Sequence, residues 1–408
     1  MKNNPFLTDT FSSVWSKHFD GNKTPVKFKC FKNAKFVKSR LPRLFYNVGK
    51  NITNGMSYEL AVLENDHKGR VFLFHDVPSY FDLSSMDESS LIRIKVPQYK
   101  GFLSDLRSYG SYDDFLKSQF KSNSRYKFRR NQERLETCFN IDYSIYHGEI
   151  EGAQYDQIMA GFKNLLSKRF NALGKENDIL IKWDYYYDLI FKMLKDKHAL
   201  LIVISNNDIP IGVSLSFLSD STMFYAITSF DTDYYRFNLG HTTIIKLLNW
   251  CYSNGYDIYD FSKGEYEYKN RWTNTEYTYE NHILYDPKST IARLVAGFVS
   301  NKYRLKQYLR DKDINEKYVR LKFLIRGKRD DSKMRYSVEP CNAPSSTGHL
   351  HQIDIESDDY AFLRPVVFDR LYKNPIPIRE LNVYKDYDGG SKTFIVVGPG
   401  NTYRIILN

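Results

Sequence analysis

Residues 199–285 read ALLIVISNNDIPIGVSLSFLSDSTMFYAITSFDTDYYRFNLGHTTIIKLLNWCYSNGYDIYDFSKGEYEYKNRWTNTEYTYENHILY. Three apolar runs, 199–204, 211–217 and 223–228, are separated by Asn206-Asn207-Asp208 and by Ser219-Asp220-Ser221. Short turn clusters of this kind join neighbouring antiparallel strands, so a meander is expected. A polar, aromatic stretch at 231–238 then leads to Leu239-Gly240-His241-Thr242. Residues 242–251 place Ile244, Ile245, Leu247, Leu248 and Trp250 at helical spacing, and Gly255 stands where a helix stops. Strands are expected at 258–261 and 278–284, with the loop 262–274 between them. The first should run parallel to the strand before the helix, because a helical crossover joins the two.

Upstream, residues 113–137 read as one long helix, with Ser111 as N-cap and Asp113 and Asp114 at the positive end of its dipole. Lys117, Lys121, Arg125 and Arg129 recur every four residues on one face, and Lys127, Arg130 and Arg134 broaden it. Such a face is either a solvated surface or a positive wall beside an anionic substrate. A strand at 139–146 and helices at 151–170 and 184–194 connect it to the quoted stretch. Nearer the N-terminus, 26–31, 58–63, 70–75 and 91–96 read as strands. The middle two are expected to pair as a hairpin through Asn65-Asp66-His67-Lys68-Gly69. Downstream, 290–309 and 313–326 read as basic helices, 340–348 as a linker, and 393–397 with 403–407 as a hairpin turning at Gly398-Pro399-Gly400-Asn401. The organisation expected is therefore an α/β region at 1–110, a central domain at 111–286, a basic helical segment at 287–330 and a small module at 349–408.

The chain has 408 residues, long for one domain, and its 33 Tyr and 28 Phe predict a core built on aromatic packing. A net charge of +11 permits an anionic partner without choosing among nucleic acid, membrane, nucleotide-linked substrate or a CoA-type cofactor. The basic residues are spread along the chain, which counts against a dedicated nucleic-acid arm. Cys30, Cys138, Cys251 and Cys341 are too scattered for a zinc site or a disulfide scaffold, so free thiols are expected. No apolar run reaches the ~18 residues of a membrane span, and no apolar segment of a secretory signal follows Met1, so a cytoplasmic location is expected.

Chemistry concentrates in two places. A chain that leaves a strand through Gly240 and enters a helix exposes N–H groups suited to phosphate oxygens, with Thr242, Thr243, Arg236 and His241 alongside. The loop from Asp260 to Trp272 gathers carboxylates, phenols, lysines and an arginine around Gly264, at a strand end where open sheets place ligands. Neither place shows a metal-ligand or nucleophile–base pattern.

Order and spacing together resemble the GNAT acyltransferase fold, and within it the CelD/BcsL-type acetyltransferases, which are related to FemAB-like transferases. The segments that carry the resemblance are SFDTDYYRFNLGH (229–241), YDFSKGEYEYKNRW (259–272) and SNSRYKFRRNQERLE (122–136), and it covers about 101–285. The fold implied is α+β: a GNAT-like mixed sheet flanked by helices, with room for a degenerate second copy among the strands of 26–96. A small C-terminal β-containing module lies outside the resemblance. The usual phosphate turn, Arg/Gln-x-x-Gly-x-Gly/Ala, is reduced here to Gly240 after Arg236.

The resemblance implies direct transfer from acyl-CoA, acetyl-CoA foremost, with no metal. The pyrophosphate would lie on Gly240, His241, Thr242 and Thr243 beside Arg236, and the pantetheine along Ile227 to Ser229. Asp260 or Glu265 would be the base and Tyr268 the acid or an orienting group. Lys269 and Arg271, with Arg125 and Arg129, would hold an anionic acceptor such as a nucleotide- or lipid-linked sugar. The product class would be an acylated amine or hydroxyl of cell-envelope or polysaccharide metabolism, and a lipid-linked acceptor would make the protein a peripheral membrane visitor. Two rivals stay open. One is FemAB-like transfer from aminoacyl-tRNA, the single nucleic-acid partner considered. The other is a non-catalytic scaffold for polysaccharide synthesis.

Overall fold

The computed structural model describes residues 3–50, 52–61, 64–83, 90–312, 336–342, 350–387 and 392–407. The central stretch folds as its turns dictate. β7 (Ala199–Asn206), β8 (Ile209–Leu218) and β9 (Thr222–Phe230) form the antiparallel meander. Helix α7 (Leu239–Ser253) crosses over to β10 (Ile258–Lys263), which lies parallel to β9, and α8 (Glu267–Trp272) leads to β11 (Thr275–Tyr285). β6 (Ile141–Tyr146) closes one edge against β7.

The sheet does not end at β11. β1 (Val26–Lys27), β2 (Lys35–Lys38), β3 (Leu44–Asn47), β4 (Val71–Pro78) and the 14-residue β5 (Ile92–Asp105) extend it to eleven strands, in the order β1-β2-β3-β4-β11-β5-β10-β9-β8-β7-β6. β5 lies between β10 and β11 and is antiparallel to both. N-terminal and central strands therefore share one continuous sheet.

One face of the sheet carries α1 (Asp9–Phe19), α4 (Gly152–Ala172) and α6 (Trp183–Lys195), whose Phe11, Trp15, Phe162 and Leu189 join an aromatic core with Phe72, Phe74 and Phe224. A second core holds Phe115 of α2 (Tyr112–Gln119), Phe128 of α3 (Ser122–Cys138), Leu247 of α7 and Trp272. Helix α9 (Thr290–Asp311) lays Ala292, Ala296 and Val299 on Val71, Val96 and Ile283. Cys30, Cys138 and Cys251 are buried free thiols, and Cys341 is half-buried and free.

Several expectations are corrected. The long helix is two, broken at Phe120, whose backbone is extended (φ −131°, ψ 135°). Phe120 turns inward onto Trp272 with ring centroids 4.5 Å apart, and that burial outweighs one continuous helix. Lys117 thus leaves the row that Arg125 and Arg129 share on α3. Among the described residues the expected hairpin at 58–75 does not form. Asn65–His67 is a 3-10 turn, and Tyr58 stacks its ring on Phe74 at 4.2 Å, across the sheet face instead of along a strand edge. β4 pairs with β3 and β11 instead. The strand expected at 26–31 shortens to Val26–Lys27. The helix expected at 313–326, and residues 343–348 of the expected linker, lie outside the described residues.

The C-terminal module is a five-stranded antiparallel sheet of β12 (Tyr336–Pro340), β13 (Leu350–Ile353), β14 (Asn382–Asp386), β15 (Thr393–Gly398) and β16 (Asn401–Leu407). The hairpin at Pro399-Gly400 forms as expected, with Gly398 opposite Asn401. Its helix α10 (Arg364–Lys373) packs Phe368 against Phe139 and Tyr234 at 4.8 and 4.9 Å, so one apolar core joins the module to the central domain.

Candidate active site

β9 and β10 pair only over Thr222–Phe224 and Ile258–Asp260, then part. Two irregularities open the gap. On β9 a bulge leaves Ala226 without a partner, because Leu215 faces Ile227 and Ser216 faces Tyr225. On β10 the register against β5 slips between Asp260 and Lys263, where Ser262 takes a left-handed φ of 61°. Two carbonyls along the parted β9 edge find other donors: Ser262 Oγ donates to the Tyr225 carbonyl at 3.0 Å, and Arg169 of α4 donates to the Thr228 carbonyl at 3.5 Å.

The cleft encloses about 370 Å³. Tyr225 to Thr228 form one wall, Phe261 to Lys263 the other, and Tyr266, Tyr268 and Lys269 lie across it. Ile52 to Asn54, Asp178 and Ile179 of α5 (Asp178–Ile181), Lys182, Tyr186 and Phe217 complete the lining.

Lys269 is 3% exposed, and its ammonium donates to the carbonyls of Ser262 at 3.2 Å and Lys263 at 2.5 Å. Burial pulls it down to about 8, against the upward pull of Asp260. Two acceptors use two N–H bonds, so the third position of the nitrogen is a proton in the cation and a lone pair in the neutral amine. Burial pushes the Tyr268 phenol well above its ordinary value, so at neutral pH it carries its proton.

Asp260 is fully buried and does not line the cleft. Its carboxylate accepts from Tyr277 at 2.8 and 2.6 Å, from Tyr80 at 2.8 Å and from the Ser262 N–H at 2.7 Å, and burial pushes it up to about 6. Those bonds fix the bulge at Ser262. Gly101 makes the arrangement possible: it lies opposite Tyr277, and a Cβ there would stand 2.2 Å from the ring. Lys263, half-buried, pairs with the buried Asp76 at 2.6 Å. Glu265 is exposed, outside the cleft, and pairs with Lys100 at 2.9 Å.

The expected phosphate turn is a separate place. Of the residues assigned to the donor, Ile227 lines the cleft, while Ser229, Arg236, Gly240, His241, Thr242 and Thr243 do not. Ser229, Thr242 and Thr243 are buried, and Gly240 packs on Phe230. Arg236 is committed to Asp369 of α10 at 2.5 Å. His241 accepts from Trp272 Nε1 at 3.0 Å, and burial, then Arg271, pulls it down to about 4. At neutral pH it brings no charge to an anion, against expectation. Arg129 and Arg271 are exposed, and Arg125 donates to the Phe120 carbonyl at 2.6 Å. Phe128 of α3 stands 5.0 Å from the His241 ring, so the buried face of α3 packs against the start of α7. Thr228, inside the expected pantetheine stretch, does line the cleft, whereas Ala226, Arg169, Asp76 and Tyr80 had no mark in the sequence. Only Asp76 has a local mark, a left-handed φ of 59°, and that belongs to structure, not sequence.

With this geometry in hand, residues 122–270 match the family model of the acetyltransferase (GNAT) domain. That segment resembles a GNAT acetyltransferase domain, and the surrounding architecture is GNAT-like. Similar solved structures include FemX, at 10% identity over 72% of this chain and 95% of that one, with a TM-score of 0.47. A conserved protein of unknown function from Bacteroides thetaiotaomicron is 11% identical over 70% of this chain and 93% of that one, with a TM-score of 0.45. The tandem GNAT protein from the clavulanic acid biosynthesis pathway is 7% identical over 61% and 77%, with a TM-score of 0.32. No curated protein matches.

Proposed function

We propose that the protein transfers an acyl group from an acyl-CoA thioester, acetyl-CoA foremost, to an amine or hydroxyl acceptor, with the reacting atoms in the cleft between β9 and β10. The observation that carries this reading is the pairing of Tyr268 and Lys269 on one cleft inside a GNAT-like domain. Neutral Lys269 takes the acceptor proton, and its value near 8 suits a base working near neutrality. The acceptor attacks the thioester carbonyl, and Tyr268 protonates the departing thiolate. Asp260 positions the β10 bulge through Ser262 and is not itself the base. The basic face of α3 and the start of α7 receive the phosphates of the donor. In keeping with the CelD/BcsL resemblance, the acceptor belongs to envelope or polysaccharide metabolism.

The engagement of Arg236 by Asp369 favours a second reading, an aminoacyl-tRNA donor that uses the exposed α3 face. Thermal unfolding with acetyl-CoA, longer acyl-CoAs, free CoA and aminoacyl-tRNA separates the two. A ligand at a hundred times its Kd adds about 2.7 kcal/mol of stability. A shift with thioesters supports the first reading. A shift confined to tRNA, and lost in salt, supports the second.

A further inference from the structure

Helix α9 has two apolar faces. Its inner face packs through Ala292, Ala296 and Val299, with Tyr303 beside them on His75. Its outer face holds the large ones: Leu294 is 69% exposed, Phe298, Leu305 and Tyr308 58% each, Ile291 48% and Leu309 39%. At about 100° per residue these six fall within an arc of roughly 100°. A surface helix ordinarily turns most of its large apolar residues inward, and here six face out. Lys302 and Lys306 border the arc on one side, Arg293 and Arg304 on the other, and Lys312 ends it; all five are exposed. Among the described residues none of the five has a carboxylate partner.

We propose that this face docks on a lipid bilayer with anionic headgroups. The apolar arc would enter the boundary between headgroups and acyl chains, and the two cationic rims would meet the anionic headgroups at its edges. Charge complementarity selects this occupant. A second copy would set cationic rims against cationic rims, and residues 313–335, which follow directly, are themselves rich in Lys and Arg. The inference stands apart from the acyl-transfer reading, because none of these residues lines the cleft.

The test is co-sedimentation of the full chain with vesicles of phosphatidylcholine alone or mixed with phosphatidylglycerol. The expected result is binding to the mixed vesicles, weakened by salt and slight on phosphatidylcholine alone. Leu294→Ser with Phe298→Ser, and separately Lys302→Glu with Lys306→Glu, should each weaken it roughly tenfold or more. Unfolding temperatures should hold, since these side chains lie outside the core. Phe298→Trp should blue-shift its fluorescence on the mixed vesicles. Failure to bind mixed vesicles overturns the proposal, as does binding that neither double variant changes. A dimer that Leu294→Ser with Phe298→Ser dissociates, without vesicle binding in the parent, assigns the face to a second copy.

Discussion

Replacing Lys269 with Met removes the one buried ammonium that lines the cleft while keeping nearly its shape. The unfolded chain holds the lysine proton up to its ordinary value of 10.5, and the folded protein releases it near 8. Between those values the unfolded state binds more protons, so unfolding becomes costlier as pH rises. At about 1.4 kcal/mol per pH unit, the window is worth roughly 3 kcal/mol. Wild type should therefore gain about that much stability between pH 8 and 10.5 relative to Lys269→Met, which lacks the titration. Urea unfolding of both proteins across that range reads the difference directly, and groups common to both cancel. The same substitution should lower kcat/KM roughly 10²–10⁴-fold, and wild-type activity should climb to a plateau above about pH 8. Parallel stability profiles for the two proteins would refute the reasoning, because the lysine would then titrate alike folded and unfolded.

Tyr268→Phe removes only the phenol hydroxyl, so it should cut turnover by roughly 10²-fold with an unchanged unfolding temperature, read by thiol release and calorimetry. Gly101→Ala forces a Cβ to 2.2 Å from the Tyr277 ring and should cost about 1–3 kcal/mol in urea unfolding, with activity falling as the Asp260 network shifts. Phe368→Ala empties the joint between the C-terminal module and the central domain. It should cost about 3–5 kcal/mol and expose the module to limited proteolysis.

The central fold was legible because its signals are local. Asn206-Asn207-Asp208 and Ser219-Asp220-Ser221 are short turns, and one helical crossover then dictates that β10 runs parallel to β9. The break at Phe120 was not, because Phe120 fits the apolar stripe of a continuous helix as well as it fits a pocket on Trp272. The site divides the same way. Tyr268 and Lys269 lie in a loop whose composition marks it. The burial of Asp260 depends on Tyr80 and Tyr277, brought by β4's exit and β11, and the partner of Arg236 lies on α10. Side chains that meet only through tertiary packing leave no periodic trace in the chain.

On the proposed function, the cleft between β9 and β10 receives the acyl donor. Thr228 lines that cleft, and Thr228→Trp fills part of its 370 Å³ from the β9 wall. Calorimetric titration of wild type and Thr228→Trp with acetyl-CoA and a longer acyl-CoA is the direct measurement. Saturable binding to wild type and a loss of roughly tenfold or more in the filled variant are expected. Equal affinity in both proteins, or no thioester binding by wild type, would contradict it.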